Sequence, residues 1–306
     1  MGYLKIKKSS YWDSMSDTGF GDRIRIWAYA YRLNKFHDFK FTILVDDFEW
    51  RELKYLNFPH TESETNIDLT NCEYAGKGRL DTSKNYYVNA DSSIDNEVAG
   101  QITLKDKKLE DKIKQSLKDR IGVHIRHWPI SETDMNHNST IERFNYEAKM
   151  NKVIEVLDKL NHKYNSKFYI SSDVTYDRPP FGKCLPNFRK KENWLSQVYE
   201  KYDVIDYRDI LSCDDEFPIA TLNEKNENWL SIYDDEISLS GVKAVKSDGN
   251  ELNIVEKDWI YDLKIKRDVI DLFSLIYSNL FIPSYKTGIH SRWSEFVECY
   301  LSLIHI

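Results

Sequence analysis

Short apolar runs that stop on charged or hydroxyl residues, with helical stretches between them, constrain this chain more than any other feature. Phe39-Lys40-Phe41-Thr42-Ile43-Leu44-Val45 halts at Asp46-Asp47. Ile121-Gly122-Val123-His124-Ile125-Arg126 halts in charge, and Lys167-Phe168-Tyr169-Ile170-Ser171-Ser172-Asp173 ends on hydroxyls and a carboxylate. Ile24, Trp27, Ala28 and Tyr31 recur at helical spacing ahead of the first run; Val153, Val156, Leu157 and Leu160 do so within a helix predicted over 141–162. A helix at Trp194–Lys201, a strand at Val204-Ile205-Asp206, a helix from Asp268 to Leu280, a strand at Leu280-Phe281-Ile282 and a helix from Thr287 to Tyr300 follow. Strands alternating with helices predict an α/β chain on a parallel, doubly wound sheet.

A charged helix, Leu104 to Arg120, divides an N-terminal α/β domain (1–118) from a C-terminal one (119–300). Residues 57–95 read as loop-rich with short strands, and 213–262 as acidic and turn-rich. Leu301–Ile306 stops on an apolar note without a capping residue and is read as a non-native tail on a truncated chain.

Composition removes several classes. With 43 basic against 50 acidic side chains among 306 residues, the formal charge is −7, which argues against a duplex nucleic-acid binder. No apolar run approaches the roughly 18 residues of a transmembrane segment. Cys72, Cys184, Cys213 and Cys299 lie far apart with no C-x-x-C pair, so they read as thiols of a reducing compartment and not as a zinc site. The N-terminus shows no secretory h-region, Ile6 stands where a myristoylation signal wants Ser or Thr, and the sequon Asn138-Ser139-Thr140 therefore carries little weight. The expected address is the cytoplasm.

Ligands of open α/β sheets bind beyond the carboxyl ends of the strands. Three such ends carry suitable groups. His124 and Arg126 share one face of their strand, and the planar guanidinium makes two charge-assisted hydrogen bonds to a phosphate without losing its charge. Asp173 ends its strand where a carboxylate accepts from a base or ribose, or caps a helix. Ser284-Tyr285-Lys286-Thr287 forms a strand–turn–helix junction with amides, hydroxyls and a cation suited to an anion, or simply caps the following helix.

At these residues the chain resembles a family. Ile121-Gly122-Val123-His124-Ile125-Arg126-His127 is similar to the G-V-H-[IV]-R-[RH] motif of the fucosyltransferase superfamily, nearest to nodulation-protein-Z-type and related α-1,6-fucosyltransferases. Val269-Ile270-Asp271-Leu272-Phe273-Ser274-Leu275 resembles the family's aspartate-bearing helix, Phe281 to Ser291 its last strand–turn–helix motif, and Gly19-Phe20-Gly21-Asp22 its N-terminal glycine loop. The resemblance implies a GT-B fold, with two Rossmann-like domains facing a central cleft and the C-terminal one binding the nucleotide. It also implies inverting transfer from GDP-fucose to a glycan acceptor, with no metal ion or other cofactor.

By the same resemblance Arg126, followed by His127, holds the β-phosphate, His124 lies by the guanine or ribose, and Asp271 faces the guanine. Asp173 sits near the ribose or base, and Ser284, Lys286 and Thr287 hold the diphosphate. Gly19, Gly21 and Asp22 form the nucleotide-sugar-side loop. Trp128-Pro129 departs from the family's small or polar residues.

In such a transfer an acceptor hydroxyl attacks the anomeric carbon as GDP leaves, and fixed cations stabilise the departing charge. Glu132, then Asp134, are the candidate bases in the loop after the arginine motif. Two rivals remain: a GT-B-like nucleotide- or glycan-binding protein without turnover, and a metal-dependent GT-A transferase using Asp46-Asp47, Asp214-Asp215 or Asp234-Asp235-Glu236. His37, His60, His137 and His162 are scattered and read as surface or core residues. Trp12, Trp50, Trp194 and Trp229 line an acceptor groove or belong to the core.

Overall fold

A strand of alternating burial opens the chain: Gly2–Ile6 (β1) buries Gly2, Leu4 and Ile6 and turns Tyr3 and Lys5 to the other face. The strand is only five residues long and Lys5 interrupts its apolar run, so spacing in the sequence does not mark it. The computed structural model describes residues 2–7, 20–46, 50–63, 72–76, 78–90, 92–125, 146–172, 174–175, 190–191, 196–210, 254–287 and 292–304. It is a mixed α/β, Rossmann-like chain with parallel sheets, in two compact units. The first runs to Lys107 and includes Glu295–Ile306; the second holds the described residues from Lys108 to Ser294. None of the helices among the described residues is long and apolar enough to cross a membrane.

In the first unit, Phe20–Phe36 (α1) follows β1 and leads to Phe41–Val45 (β2), parallel to β1. Ile24, Trp27, Ala28 and Tyr31 are buried as their spacing predicts. Trp27 stacks on Tyr31 and meets Phe58 edge-on. Asn34 ends the helix with a reciprocal pair: its Nδ2 donates to the Phe41 carbonyl at 2.8 Å, and the Phe41 amide donates to its Oδ1 at 2.9 Å. The turn between α1 and β2 needs left-handed φ values of 55° at both Asp38 and Phe39. Phe39 tolerates this while packed on His60, rings 4.4 Å apart, and on Tyr31.

Short strands follow at Leu56–Asn57 (β3), Thr61–Ser63 (β4), Glu73–Tyr74 (β5), Tyr86–Val88 (β6) and Thr103–Leu104 (β7), with a helical turn at Asn96–Ala99 (α2) capped by Asp95. The five-stranded parallel sheet runs β4-β2-β1-β6-β5. The pair β3–β7 is antiparallel.

In the second unit, Lys107–Ser116 (α3) is shorter than the predicted 104–120 helix, because Asp119 takes a left-handed φ of 66° to turn the chain into Arg120–Ile125 (β8). Then come Tyr146–Tyr164 (α4), Lys167–Ser172 (β9), Val174–Thr175 (β10) pairing Lys190–Lys191 (β11), Ser196–Lys201 (α5), Val204–Ile205 (β12) and Tyr207–Ile210 (α6). Ile254–Tyr277 (α7), Leu280–Ile282 (β13), Ser284–Thr287 (α8) and Arg292–Ile304 (α9) complete it. The four-stranded parallel sheet has the order β12-β9-β8-β13.

Two expectations are corrected. The helix predicted to begin at Asp268 begins at Ile254 and has 24 residues, so part of the segment read as turn-rich is helical. Ile254, Trp259-Ile260 and Leu263 continue the apolar spacing that the acidic composition obscured. Of the helix predicted over 287–300, the described part from Arg292 belongs to the 13-residue α9, which carries on to Ile304, while Thr287 ends the four-residue α8.

Strand β8 is covered on both faces. Ile121, Val123 and Ile125 pack with Val153 and Leu157 of α4, Phe168 and Ile170 of β9, and Val198 and Tyr202. Gly122 and His124 alternate to the opposite face. There α7 approaches so closely that a Cβ on Gly122 would lie 2.5 Å from Ser278 Oγ and 3.2 Å from Leu275 Cδ2. Ser278 cannot swing aside easily, since its hydroxyl donates to the Leu275 carbonyl at 2.7 Å. Gly122→Ala is therefore expected to lose about 1–3 kcal/mol in urea unfolding, with Ser278→Ala restoring part of it. An unchanged midpoint would show that the approach is looser than described.

Candidate functional site

In the five-stranded and the four-stranded sheet the chain leaves its first strand in one direction and later returns to the other side of it. From β8 it passes through β9 to β12, then adds β13 on the opposite edge. The carboxyl ends of β8 and β13 thus mark a topological switch point, the place where such sheets bind ligands. His124 is the penultimate residue of β8, and Ser284 follows β13 by two residues.

These side chains meet through a residue the sequence analysis did not single out. Ser294, in the first turn of α9, has its hydroxyl 2.8 Å from His124 Nδ1. It accepts from the Ser284 amide at 3.0 Å and donates to Ser284 Oγ at 3.1 Å. His124 is 6% exposed, and both serines are 0% exposed. A satisfied network at this depth rigidifies its members, because each polar atom would be costly to bury alone. The cluster fastens the end of β8, the turn after β13 and the start of α9 together. Its only sequence signal was a serine seven residues after Thr287, with no spacing rule to mark it.

Ser284 is therefore part of a buried frame, whereas Lys286, two residues on, is exposed. Thr287 closes α8. Gly21 is buried in the first turn of α1, which begins at Phe20, so part of the predicted glycine loop is helical; Asp22 lies in the same turn. Gly19, Arg126, His127, Glu132, Asp134 and Asp173 lie outside the described residues. So do Trp12, Trp194, Trp229, Asp47 and the acidic groups at 214–215 and 234–236. Trp50, 1% exposed, packs edge-on against Phe58 and belongs to the core.

Asp271 lies at 1% exposure on α7 and accepts a 2.6 Å hydrogen bond from the Tyr169 hydroxyl of β9. Tyr169 pairs in register with Gly122, two residues before His124, so this contact sits below the middle of the sheet and not at its carboxyl rim. Burial, and then the Asp271 charge, push the Tyr169 phenol well above its ordinary range.

A second polar hub closes β12. The Asp206 carboxylate accepts from Tyr199 at 2.7 Å and from Arg208 Nε at 2.8 and 2.9 Å, and it also takes the Arg208 amide at 2.9 Å. Burial disfavours the Arg208 charge, but Asp206 outweighs it and holds the guanidinium above its usual pKa. This cation is committed to its own chain. In the first unit Arg23, in the first turn of α1, makes a buried ion pair with Glu52. Among the described residues no group of three or more His, Cys, Asp or Glu is arranged to hold a metal ion. Cys299 is a free thiol; burial raises its pKa, and its Sγ donates to the Ile94 carbonyl.

Tyr169→Phe separates support from binding. Losing the donor to buried Asp271 is expected to cost about 1–3 kcal/mol at neutral pH. The pH dependence has a defined sign. Because the folded-state pKa of Tyr169 is raised, its contribution is complete below the unfolded value of about 10 and declines above it. The variant should lack that alkaline component. Urea midpoints between pH 7 and 11 check both, and equal alkaline slopes for the two proteins would contradict the assignment.

Comparison of the chain with protein-family models, curated proteins and solved structures gives no match.

Proposed function

We propose that this protein is an inverting, metal-independent glycosyltransferase of GT-B organisation that moves L-fucose from GDP-fucose to a glycan hydroxyl. The observation that carries the reading is the buried His124 at the carboxyl end of β8, beside β13, with the motif's arginine two positions further on. An H-x-R triplet alone is weak. One that follows a parallel strand at a switch point supports a donor-phosphate reading, because open α/β sheets bind ligands there.

In this reading Arg126, with His127 next to it, neutralises the β-phosphate as the glycosidic bond to GDP breaks. Lys286, exposed after β13, adds a second cation. Charge builds on the leaving diphosphate as the anomeric carbon gains oxocarbenium character, so fixed cations act more strongly on the transition state than on the bound donor. Glu132, or failing it Asp134, takes the proton of the acceptor hydroxyl, a role worth ~10²–10⁴ in rate. Asp173 approaches the ribose or base, and Gly19, Gly21 and Asp22 serve the nucleotide-sugar. Asp271, enclosed with Tyr169, enters as a support of β9 beneath the nucleotide rather than as a direct contact to the guanine. The first unit takes the acceptor, and the cytoplasm is the expected compartment.

Thermal-shift screening against GDP, UDP, ADP and CMP should single out GDP. A ligand at 100 times its Kd stabilises by about 2.7 kcal/mol, a shift of several degrees. Arg126→Ala should remove that shift while leaving the unliganded midpoint in place. Stabilisation by UDP and not GDP, or an undiminished GDP shift in the variant, would sink the reading.

A further inference from the structure

The five-stranded sheet of the first unit has a switch point of its own, where β1 and β6 end side by side. Lys7, the first residue beyond β1, is tied there by its amide, which donates to the Val88 carbonyl at 2.8 Å. Its ammonium stands 4.5 Å from the centroid of the Tyr87 ring. The Ala75 amide donates to the Tyr87 carbonyl at 2.8 Å, which holds the end of β5 against β6. Tyr74, the last residue of β5, lies beside Tyr87 with ring centroids 5.8 Å apart and planes at 48°.

Register puts these groups on one face. Lys5 pairs with Tyr87, and Tyr87 with Tyr74, while Leu4, Ile6, Tyr86 and Val88 turn to the opposite, buried face. Tyr74 is 53% exposed, and Lys7 is exposed. Glu73 pairs with Tyr86 and so belongs to the other face. Among the described residues, the acid in the row of Lys5, Tyr87 and Tyr74 is Glu62, in register with Leu44 on the edge strand β4. Three strand spacings separate it from Tyr87, about 14 Å. Asp46, next after β2, is half-buried and has contacts of its own. This corner therefore joins a cation to two aromatic rings in a chain whose formal charge is −7.

We propose that Lys7, Tyr87 and Tyr74 form a saccharide-binding platform whose ligand is an acidic sugar, a hexuronate unit of a glycan. A tyrosine ring is negative on its face, which attracts the partly positive C–H bonds of a pyranose as it attracts the ammonium above Tyr87. Lys7 then meets the sugar's carboxylate as a point charge. Rings tilted by 48° share no plane, so a flat base cannot stack on both, whereas a puckered pyranose turns C–H bonds in several directions. The acidic balance of the chain also disfavours the polyanionic backbone of a nucleic acid. The platform lies within the first unit and stands apart from the fucosyl-transfer reading. Its role as the acceptor subsite rests on that reading, and makes the acceptor an acidic glycan.

Titration of the full ¹⁵N-labelled chain with tetragalacturonate tests this, with the fully methyl-esterified tetrasaccharide and an oligothymidylate as controls. The expected result is amide shifts clustered at Lys7, Tyr74, Ala75 and Tyr87, with the acid bound more tightly than either control. Tyr74→Ala should weaken the saccharide about three- to tenfold, whereas Tyr74→Phe keeps the ring and should match the unaltered protein. Lys7→Gln should weaken the acid about two- to fivefold at low salt and leave the ester unchanged. Both side chains are exposed, so all three variants should keep the unaltered urea midpoint. No shifts at these amides, equal affinity for acid and ester, or tighter binding of the oligothymidylate overturns the proposal. Thermal shift with GDP separates the two readings. Saccharide bound at these residues without a GDP shift keeps the platform and removes its acceptor role. A GDP shift with no saccharide bound overturns the platform and leaves the transfer reading standing.

Discussion

Burial of β8 on both faces, with a parallel neighbour on either edge, is the constraint from which the second unit follows. A strand so enclosed can carry only apolar, very small or fully satisfied polar side chains. Ile121, Val123 and Ile125 meet the first condition against α4. Gly122 meets the second, where α7 leaves no room for a Cβ. His124 meets the third by its contact with Ser294. The last residues of the strand therefore reach the rim of the sheet with little freedom, which is what a binding group needs: its geometry is fixed before a ligand arrives.

Among the described residues of this unit, three buried polar assemblies differ in their position on the sheet. Tyr169–Asp271 joins β9 to α7 below the middle of the sheet, and Asp206–Arg208 closes the edge strand β12 with its guanidinium already satisfied. Neither offers a charge to a ligand. The His124–Ser294–Ser284 network stands at the switch point and fastens β8, the turn after β13 and α9 to one another. Depth of burial is similar in all three; location distinguishes them. The first unit repeats the plan, since β1 also lies between an outgoing and a returning set of strands.

Much of the α/β plan was legible because periodicity reports burial. Ile24, Trp27, Ala28 and Tyr31 stood at helical spacing and are buried, and β8, β9, β12 and β13 fall within a residue or two of the expected runs. Local chemistry defeated the reading elsewhere. β1 is five residues long and lacks a preceding turn signal, and the first turns of α7 were masked by acidic neighbours. His124 was legible because it lies in a compact motif. Ser294 was not, because its partners are 170 and 10 residues away and join it only in the folded chain. Asp271 was expected at the guanine from its helix alone, and no pattern in that helix announces the tyrosine of β9 that takes its carboxylate.

The central claim is that a guanine nucleotide occupies the rim where β8 and β13 end side by side. Backbone amide chemical shifts followed during a GDP titration of the ¹⁵N-labelled chain test it most directly. The account predicts that the perturbed amides cluster at His124 and Ile125, at Ile282 and Ser284, and at Ser294, with β1 and β6 of the first unit little changed. Perturbations centred on the first unit's sheet, or none at saturating GDP, would contradict it.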